Sequence, residues 1–388
     1  MKNNLGIFST GGLAALLLCG SQSVFAECTV KDGNIICTPA GDVAVGAVFS
    51  TSNAGARRNV ALALVEELLE DEEEETGGGA GDRMPFDVYT TLLYRDRDYD
   101  GQSFEDENKI GTSGFDSDTW GGIIGATLRE DHYFVGAAID YSQEEVTFKE
   151  NAGNQDTDEF GLSLYGTYFP LANKNLFVSG AFRYGDRDID TRRNVFNSKG
   201  ELGIAKGSTN GNTYGFMGGA GYSWPLQERT LISLSGWLLW NDNNTDGYTE
   251  NGALASGNGN SNGNELTGNL RFEDDDYSTF DGILTATLLH SIPITNGRVM
   301  PSLSFSYVHE FESDTRTIDA EMRDRNGDNP PEQFSFRTNE ADENYFRINA
   351  AVNVELNQGA TLYASYTGTL GHDWRNENLF SIGVSVLF

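Results

Sequence analysis

From Phe86 onward the chain alternates apolar and polar residues with a period of two. Val299, Pro301, Leu303, Phe305 and Tyr307 interleave with Met300, Ser302, Ser304 and Ser306. Phe346, Ile348, Ala350, Val352, Val354 and Leu356 interleave with Arg347, Asn349, Ala351, Asn353 and Glu355. Successive side chains of a strand point to opposite faces, so each run reads as a strand with one apolar and one polar face. In a soluble sandwich the apolar face meets a core; in a membrane barrel it meets lipid and the polar face lines a lumen. Alternation alone does not choose.

Connection lengths do choose. Twelve strands are predicted, starting near Phe86, Trp120, Tyr133, Phe160, Leu176, Tyr214, Leu231, Phe280, Val299, Tyr345, Ala360 and Phe380. Tight connections fall at Arg129-Glu130-Asp131, Pro170 to Asn175, Pro225 to Arg229, Pro293 to Gly297 and Asn357-Gln358-Gly359. Between them lie longer, acidic or glycine-rich ones: Asp96 to Asp118, Phe148 to Asp158, Asp186 to Asn212, Asn241 to Tyr277, Glu310 to Asn344 and Gly371 to Asn378. Bacterial outer-membrane barrels have an even strand number, short periplasmic turns and long outer loops. The expected fold is therefore all-β, a twelve-stranded antiparallel transmembrane β-barrel over residues 84–388, in the outer membrane with its amino and carboxyl termini periplasmic. The last strand adds a second signal: Phe380, Ile382, Val384, Val386 and Phe388 alternate with small residues and the chain stops on an aromatic, as an assembly signal of outer-membrane proteins does.

The first 83 residues follow other patterns. Lys2, an apolar stretch from Leu13 to Leu18 and the small residues around Val24-Phe25-Ala26 read as a signal peptide over residues 1–26. Residues 27–83 form a separate segment. Cys28 and Cys37, exported to an oxidising space, are expected to close a short loop as a disulfide, two free thiols being the alternative. Ala61, Leu64, Val65, Leu68 and Leu69 put an apolar stripe on a short α-helix, which runs into six acidic residues, Glu70 to Glu75. Negative charge at a helix carboxyl end opposes the helix dipole, so a basic or enclosing partner would steady its last turn.

Within the barrel region, Gly114-Phe115-Asp116-Ser117-Asp118 leading into Trp120-Gly121-Gly122, the run Phe134 to Ser142, Gly161 to Tyr168, and Phe182-Arg183-Tyr184-Gly185 with Asp190 to Arg193 follow one another in an order and spacing that resembles the β-barrel translocator domain of autotransporters, the type V secretion family. That resemblance implies a barrel spanned by the amino-terminal helix, with Leu64 and Leu68 on the plug and its acidic end near wall residues such as Arg183 and Arg347. It also implies assembly by the outer-membrane machinery and passage of an amino-terminal passenger. Residues 27 to about 59 leave a very short or vestigial passenger, and no Asn-Asn pair ahead of the first strand points to self-cleavage. A passive pore, or a surface interaction protein using acidic, cation-binding outer loops, is the alternative.

Charge and candidate chemistry alter this picture little. With 26 basic and 58 acidic side chains the net charge is −32, which disfavours nucleic acid as a partner. The expected surroundings are outer-membrane lipid and lipopolysaccharide, with the chain as a monomer. Asp96, Asp98, Asp100, Gly101 and Glu107 satisfy the residue spacing of a calcium loop, so Ca²⁺ is a candidate ligand there; a solvated acidic face accounts for the same residues more simply. The four histidines are scattered and no motif joins nucleophile, base and orienting acid, so no enzymatic activity is expected.

Overall fold

The computed structural model describes residues 25–31, 34–40, 86–100, 114–130, 132–171, 174–196, 202–227, 229–252, 266–311, 317–324, 332–337, 342–373 and 375–388. Two short strands, β1 (Phe25–Lys31) and β2 (Asn34–Ala40), pair as an antiparallel hairpin. The wall then runs through β3 (Phe86–Tyr99), β4 (Phe115–Glu130), β5 (Tyr133–Phe148), β6 (Gly153–Tyr168), β7 (Leu176–Phe196), β8 (Leu202–Gln227) and β9 (Thr230–Thr245). After β10 (Tyr248–Thr249) and β11 (Leu266–Phe272) come β12 (Asp275–His290), β13 (Ile292–Ile294) and β14 (Gly297–Glu310). After β15 (Thr317–Asp324) and β16 (Glu332–Arg337) come β17 (Asn344–Leu356), β18 (Ala360–Leu370) and β19 (Arg375–Leu387).

Antiparallel pairing runs in the order β12-β9-β8-β7-β6-β5-β4-β3-β19-β18-β17-β14, and β12 pairs with β14 to close the ring. Twelve strands therefore form a closed barrel with no free edge, which satisfies every ladder hydrogen bond in a setting without water. The last strand of the chain meets the first strand of the barrel: β19 pairs with β3 from Arg375↔Tyr99 to Leu387↔Asp87. At the near rim, where Phe86 and Phe388 lie, turns are tight; Gly359 takes φ +81° and donates its N–H to the Leu356 carbonyl at 2.9 Å, a backbone state that a side chain would strain.

The apolar set of each strand faces outward. Leu92, Ile124, Ile139, Leu164, Phe216, Leu284 and Ile382 are all about half exposed or more. Phe86, Tyr133, Tyr168, Trp224 and Phe388 ring the near rim, and a second aromatic ring marks the other boundary of this belt. At all six hairpins that reach the far rim, an aromatic on the rising strand sits directly opposite one on the descending strand: Tyr94↔Trp120, Tyr141↔Phe160, Tyr184↔Tyr214, Trp240↔Phe280, Tyr307↔Phe346 and Tyr366↔Phe380. Two residues before each descending aromatic stands a short polar side chain: Asp118, Asp158, Asn212, Ser278, Asn344 or Asn378. Tyr94 donates its hydroxyl to Asp118 at 2.5 Å and Tyr366 to Asn378 at 2.8 Å, and Tyr141 and Tyr307 do the same to Asp158 and Asn344. The rings thus stay in the apolar belt while their hydroxyls meet the polar layer beyond it.

The strand number matches expectation, but the far-rim boundaries do not. Asp186 to Asn212 is not a loop: β7 and β8 pair without interruption from Leu176↔Tyr222 to Phe196↔Leu202. Likewise β5 and β6 pair up to Phe148↔Gly153, β3 extends to Tyr99, and β19 begins at Arg375. Beyond the membrane belt the outer face turns polar and the inner face mixes charged and apolar residues, so the outward hydrophobic alternation fades while backbone pairing continues. Above β9, β12 and β14 the wall is prolonged by a four-stranded sheet in the order β10-β11-β15-β16, joined to β8 through the Lys206↔Asn251 bridge. The expected helix around Val60 to Leu69 lies outside the described residues.

Candidate functional site

The inward faces line a lumen with three storeys. Nearest the chain ends is an apolar cluster that includes Tyr89, Phe134, Tyr165, Phe177, Met217 and Trp237. Four of its rings fit the wall because each has a glycine as a cross-strand partner: Tyr89↔Gly125, Tyr165↔Gly136, Phe177↔Gly221 and Trp237↔Gly219. A methyl on any of these glycines would overlap the ring lying on it. The Tyr165 and Thr127 hydroxyls share a 2.7 Å hydrogen bond, so the ring's polar end is satisfied as well.

The middle storey is charged. Arg183 donates to Asp140 through Nη2 at 2.7 Å and Nε at 3.3 Å, and its Nη1 pairs with Glu159 Oε1 at 2.5 Å. The Asp140 carboxylate lies over Gly161 and that of Glu159 over Gly185, places where only glycine leaves room. Arg95 pairs with Glu144 at 3.5 Å and donates to Thr119 at 2.9 Å, and Arg97 pairs with Glu377 at 3.1 Å. Arg347 donates to the Tyr345 hydroxyl at 2.8 Å, while the Arg375 guanidinium lies 5.4 Å from the centre of the Tyr345 ring. Buried charges need such partners, since a lone one costs several kcal/mol. At the far rim, burial and then the charges of Arg375, Arg347 and Arg97 push His372 down to about 2, so it is neutral at pH 7. Its Nδ1 lies 3.2 Å from Asp342.

Above the charged storey the inner face turns apolar again. Tyr99 stacks on Phe115 with ring centroids 5.1 Å apart, and Val146, Phe148, Ile189 and Ala205 are buried beside them. Tyr248 stacks on Phe272 at 4.9 Å and covers Gly207, and Arg193 clasps Glu250 through two contacts of 2.5 and 3.0 Å. Burial, then the Glu250 charge, raises the Tyr248 phenol well above its ordinary value.

Arg183 and Arg347 are both buried on the inner side of the wall, and Arg183 is engaged by Asp140 and Glu159. Leu64, Leu68 and Glu107 lie outside the described residues. Asp96 and Asp98 do not belong to a loop: they sit in β3, opposite Asp118 and Asp116, and alternate carboxylates of an extended strand run in a line instead of converging around a turn. Asp98 and Asp100 take the Lys149 ammonium, the latter at 3.1 Å. Cys28 and Cys37 are direct register partners in the β1–β2 hairpin. Phe380, Ile382, Val384, Val386 and Phe388 follow one outward line on the last strand and chain end. Sequence reasoning missed the recurrent short polar residue two positions before each descending aromatic, a spacing that stands in plain view in the chain.

Similarity to known proteins bears on this architecture directly. Residues 98–367 match the family described as autotransporter beta-domain. "Outer membrane protein A" of Rickettsia rickettsii is 27% identical over 229 residues, covering 57% of this chain and 10% of that protein. "Outer membrane protein B" of the same organism is 25% identical over 187 residues, covering 46% of this chain and 11% of that protein. The chain thus spans about a tenth of the curated relatives it matches. Among solved structures, the translocator domain of autotransporter NalP from Neisseria meningitidis superposes with a TM-score of 0.57 at 14% identity, covering 88% of this chain and 99% of that one. The beta domain of the Bordetella autotransporter BrkA gives 0.52 at 17%, covering 78% and 100%. A closed twelve-stranded barrel with an outward apolar belt, matched over most of its length, belongs to the autotransporter beta-domain family and is an outer-membrane β-barrel.

Proposed function

We propose that this barrel serves the passage of an amino-terminal segment of its own chain across the outer membrane, with the near rim and the Phe86 and Phe388 ends in the periplasm and the prolonged far-rim strands outside. The observation that carries this reading is the closed wall whose interior holds an engaged charged band between two apolar storeys, a lining suited to polypeptide. Short turns at the near rim and tall strands at the far rim support the orientation. Outer-membrane lipid and lipopolysaccharide surround the belt, the assembly machinery reads the β19 line, and the barrel works as a monomer. Cys28 and Cys37 close a disulfide; directly opposed residues lie within bridging distance.

The test is a surface-display assay. An epitope placed between residues 26 and 27 of the full chain is expected to be reached by antibody on intact cells. Epitope found only after lysis, with a folded heat-modifiable barrel in the outer-membrane fraction, would overturn the reading. Deletion of residues 27–83 should raise single-channel conductance, whereas a passive pore would conduct equally with and without them.

A further inference from the structure

The far-rim storey poses a question that the barrel alone does not answer. Val146 at the end of β5, Ile189 in β7 and Ala205 in β8 are essentially inaccessible, at 0%, 1% and 0% exposure, although the wall there stands beyond the aromatic boundary of the membrane belt. Phe148, Tyr99 and Phe115 continue the same apolar surface around the inside. Gln155 and Thr157 of the intervening β6 are equally inaccessible, so this part of the wall faces other groups of the protein and not a water-filled vestibule.

One described element lies close to the two strands that carry Val146 and Ile189. In the β1–β2 hairpin, β1 lies against β7 and β2 against β5. The outward residues of both strands are free of cover along this stretch, with Gln143, Glu145, Thr147, Asp186, Asp188 and Asp190 all exposed, so the hairpin meets the inner side. Its register positions alternate in the manner of a half-apolar ribbon: Cys28↔Cys37 and Val30↔Ile35 share one face. The lower apolar cluster is built from wall residues that cover one another, and the band between is charged, which leaves the far-rim storey as the apolar seat that matches it. Reach is no obstacle. The 45 residues from 41 to 85 between Ala40 and Phe86 extend about 68 Å even if fully helical, and over twice that if extended, enough to traverse the lumen.

We propose that the Cys28–Cys37 hairpin is a retained outer stopper, seated on the apolar inner surface formed by Val146, Phe148, Ile189 and Ala205 at the cell-exterior mouth of the barrel. The inference rests on the translocator reading and adds to it a specific docking surface and its occupant. The seat accepts a short, cross-linked apolar ribbon of the same chain, so the exported segment stays docked after passage.

Two measurements on the full chain test this, each on protein whose heat-modifiable migration shows a folded barrel. First, a protease-cleavage sequence inserted between Lys31 and Asn34 should be cut on intact cells; cutting only after lysis would place the hairpin on the periplasmic side and overturn the proposal. Second, amide hydrogen exchange of residues 27–40 should be protected in the folded chain, and Val146→Asp with Ile189→Asp should speed it at least about tenfold, since a desolvated carboxylate opposes docking by more than that factor. A control, Asp188→Asn on the outward face, should leave exchange unchanged. External cutting with exchange indifferent to the seat substitutions would overturn the docking while leaving the translocator reading intact.

Discussion

Replacing Arg183 by Ala removes the one cation shared by Asp140 and Glu159, whose side chains are both fully buried. Three contacts go at once: the two Asp140 contacts at 2.7 and 3.3 Å and the Glu159 contact at 2.5 Å. Neither carboxylate can swing to solvent, because each lies over a glycine in the wall, and each is left facing another anion. Breaking a buried pair by deleting one partner costs about 3–5 kcal/mol, most of it the stranded charge. Arg183→Ala should therefore lower the unfolding free energy by about that much, read by urea titration of the vesicle-reconstituted protein with tryptophan fluorescence. Asp140→Asn combined with Glu159→Gln in the Arg183→Ala background should recover more than half, since the neutral amides remove both stranded charges. A loss below about 1 kcal/mol, the range of solvent-exposed pairs, would mean that water screens the site, and a triple variant no better than Arg183→Ala would refute the argument from stranded charge.

Other expectations follow from the same wall. Ile124→Arg puts a cation on the lipid face and should cost about 2–4 kcal/mol in the same titration; no loss would mean that this face does not meet hydrocarbon. Gly136→Ala drives a methyl into the Tyr165 ring and should cost about 1–3 kcal/mol, whereas Gly180→Ala, whose added methyl meets only the Met217 carbonyl oxygen at 3.5 Å, should stay within about 0.5 kcal/mol; heat-dissociation temperatures on gels check the contrast. His372 is held at about 2 in the folded chain against 6.5 when free, so the unfolded state alone takes up a proton as pH falls below 6.5. Its contribution is thus neutral above that pH and destabilising below it, by about 2 kcal/mol at pH 5, and His372→Gln should flatten the wild-type slope between pH 7 and 5 by that amount.

The barrel was legible where one face meets lipid and the other does not. Along Val299 to Tyr307 and Phe346 to Leu356 the contrast between faces is strong, broken only by Met300 and Ala351, and there the strands lie where the alternation puts them. It failed where that contrast ends. Asp186, Asp188 and Asp190 face outward and Arg187, Ile189 and Thr191 inward on one unbroken strand, yet charge on both sides made the stretch read as loop. The ion network was not legible at all, because Arg183 meets Asp140 and Glu159 only through the register of β5, β6 and β7, which places residues far apart in sequence within reach. Arg183 and Arg347 were placed on the wall by family resemblance, which carries side-chain direction but not partners. The paired aromatics with Asp, Asn or Ser two residues earlier were readable, and only a search at fixed offset from each descending aromatic would have found them.

Outward residues of this barrel touch lipid chains and inward ones do not. Trp120 is 65% exposed on the outer face and Trp237 is 4% exposed on the inner. Variants retaining only one of these two tryptophans, the others replaced by Phe, should be refolded into bilayers of brominated and unbrominated lipid. Bromine on the acyl chains should quench Trp120 strongly and leave Trp237 emission unchanged. Equal quenching of both, or quenching of Trp237 alone, would contradict the account.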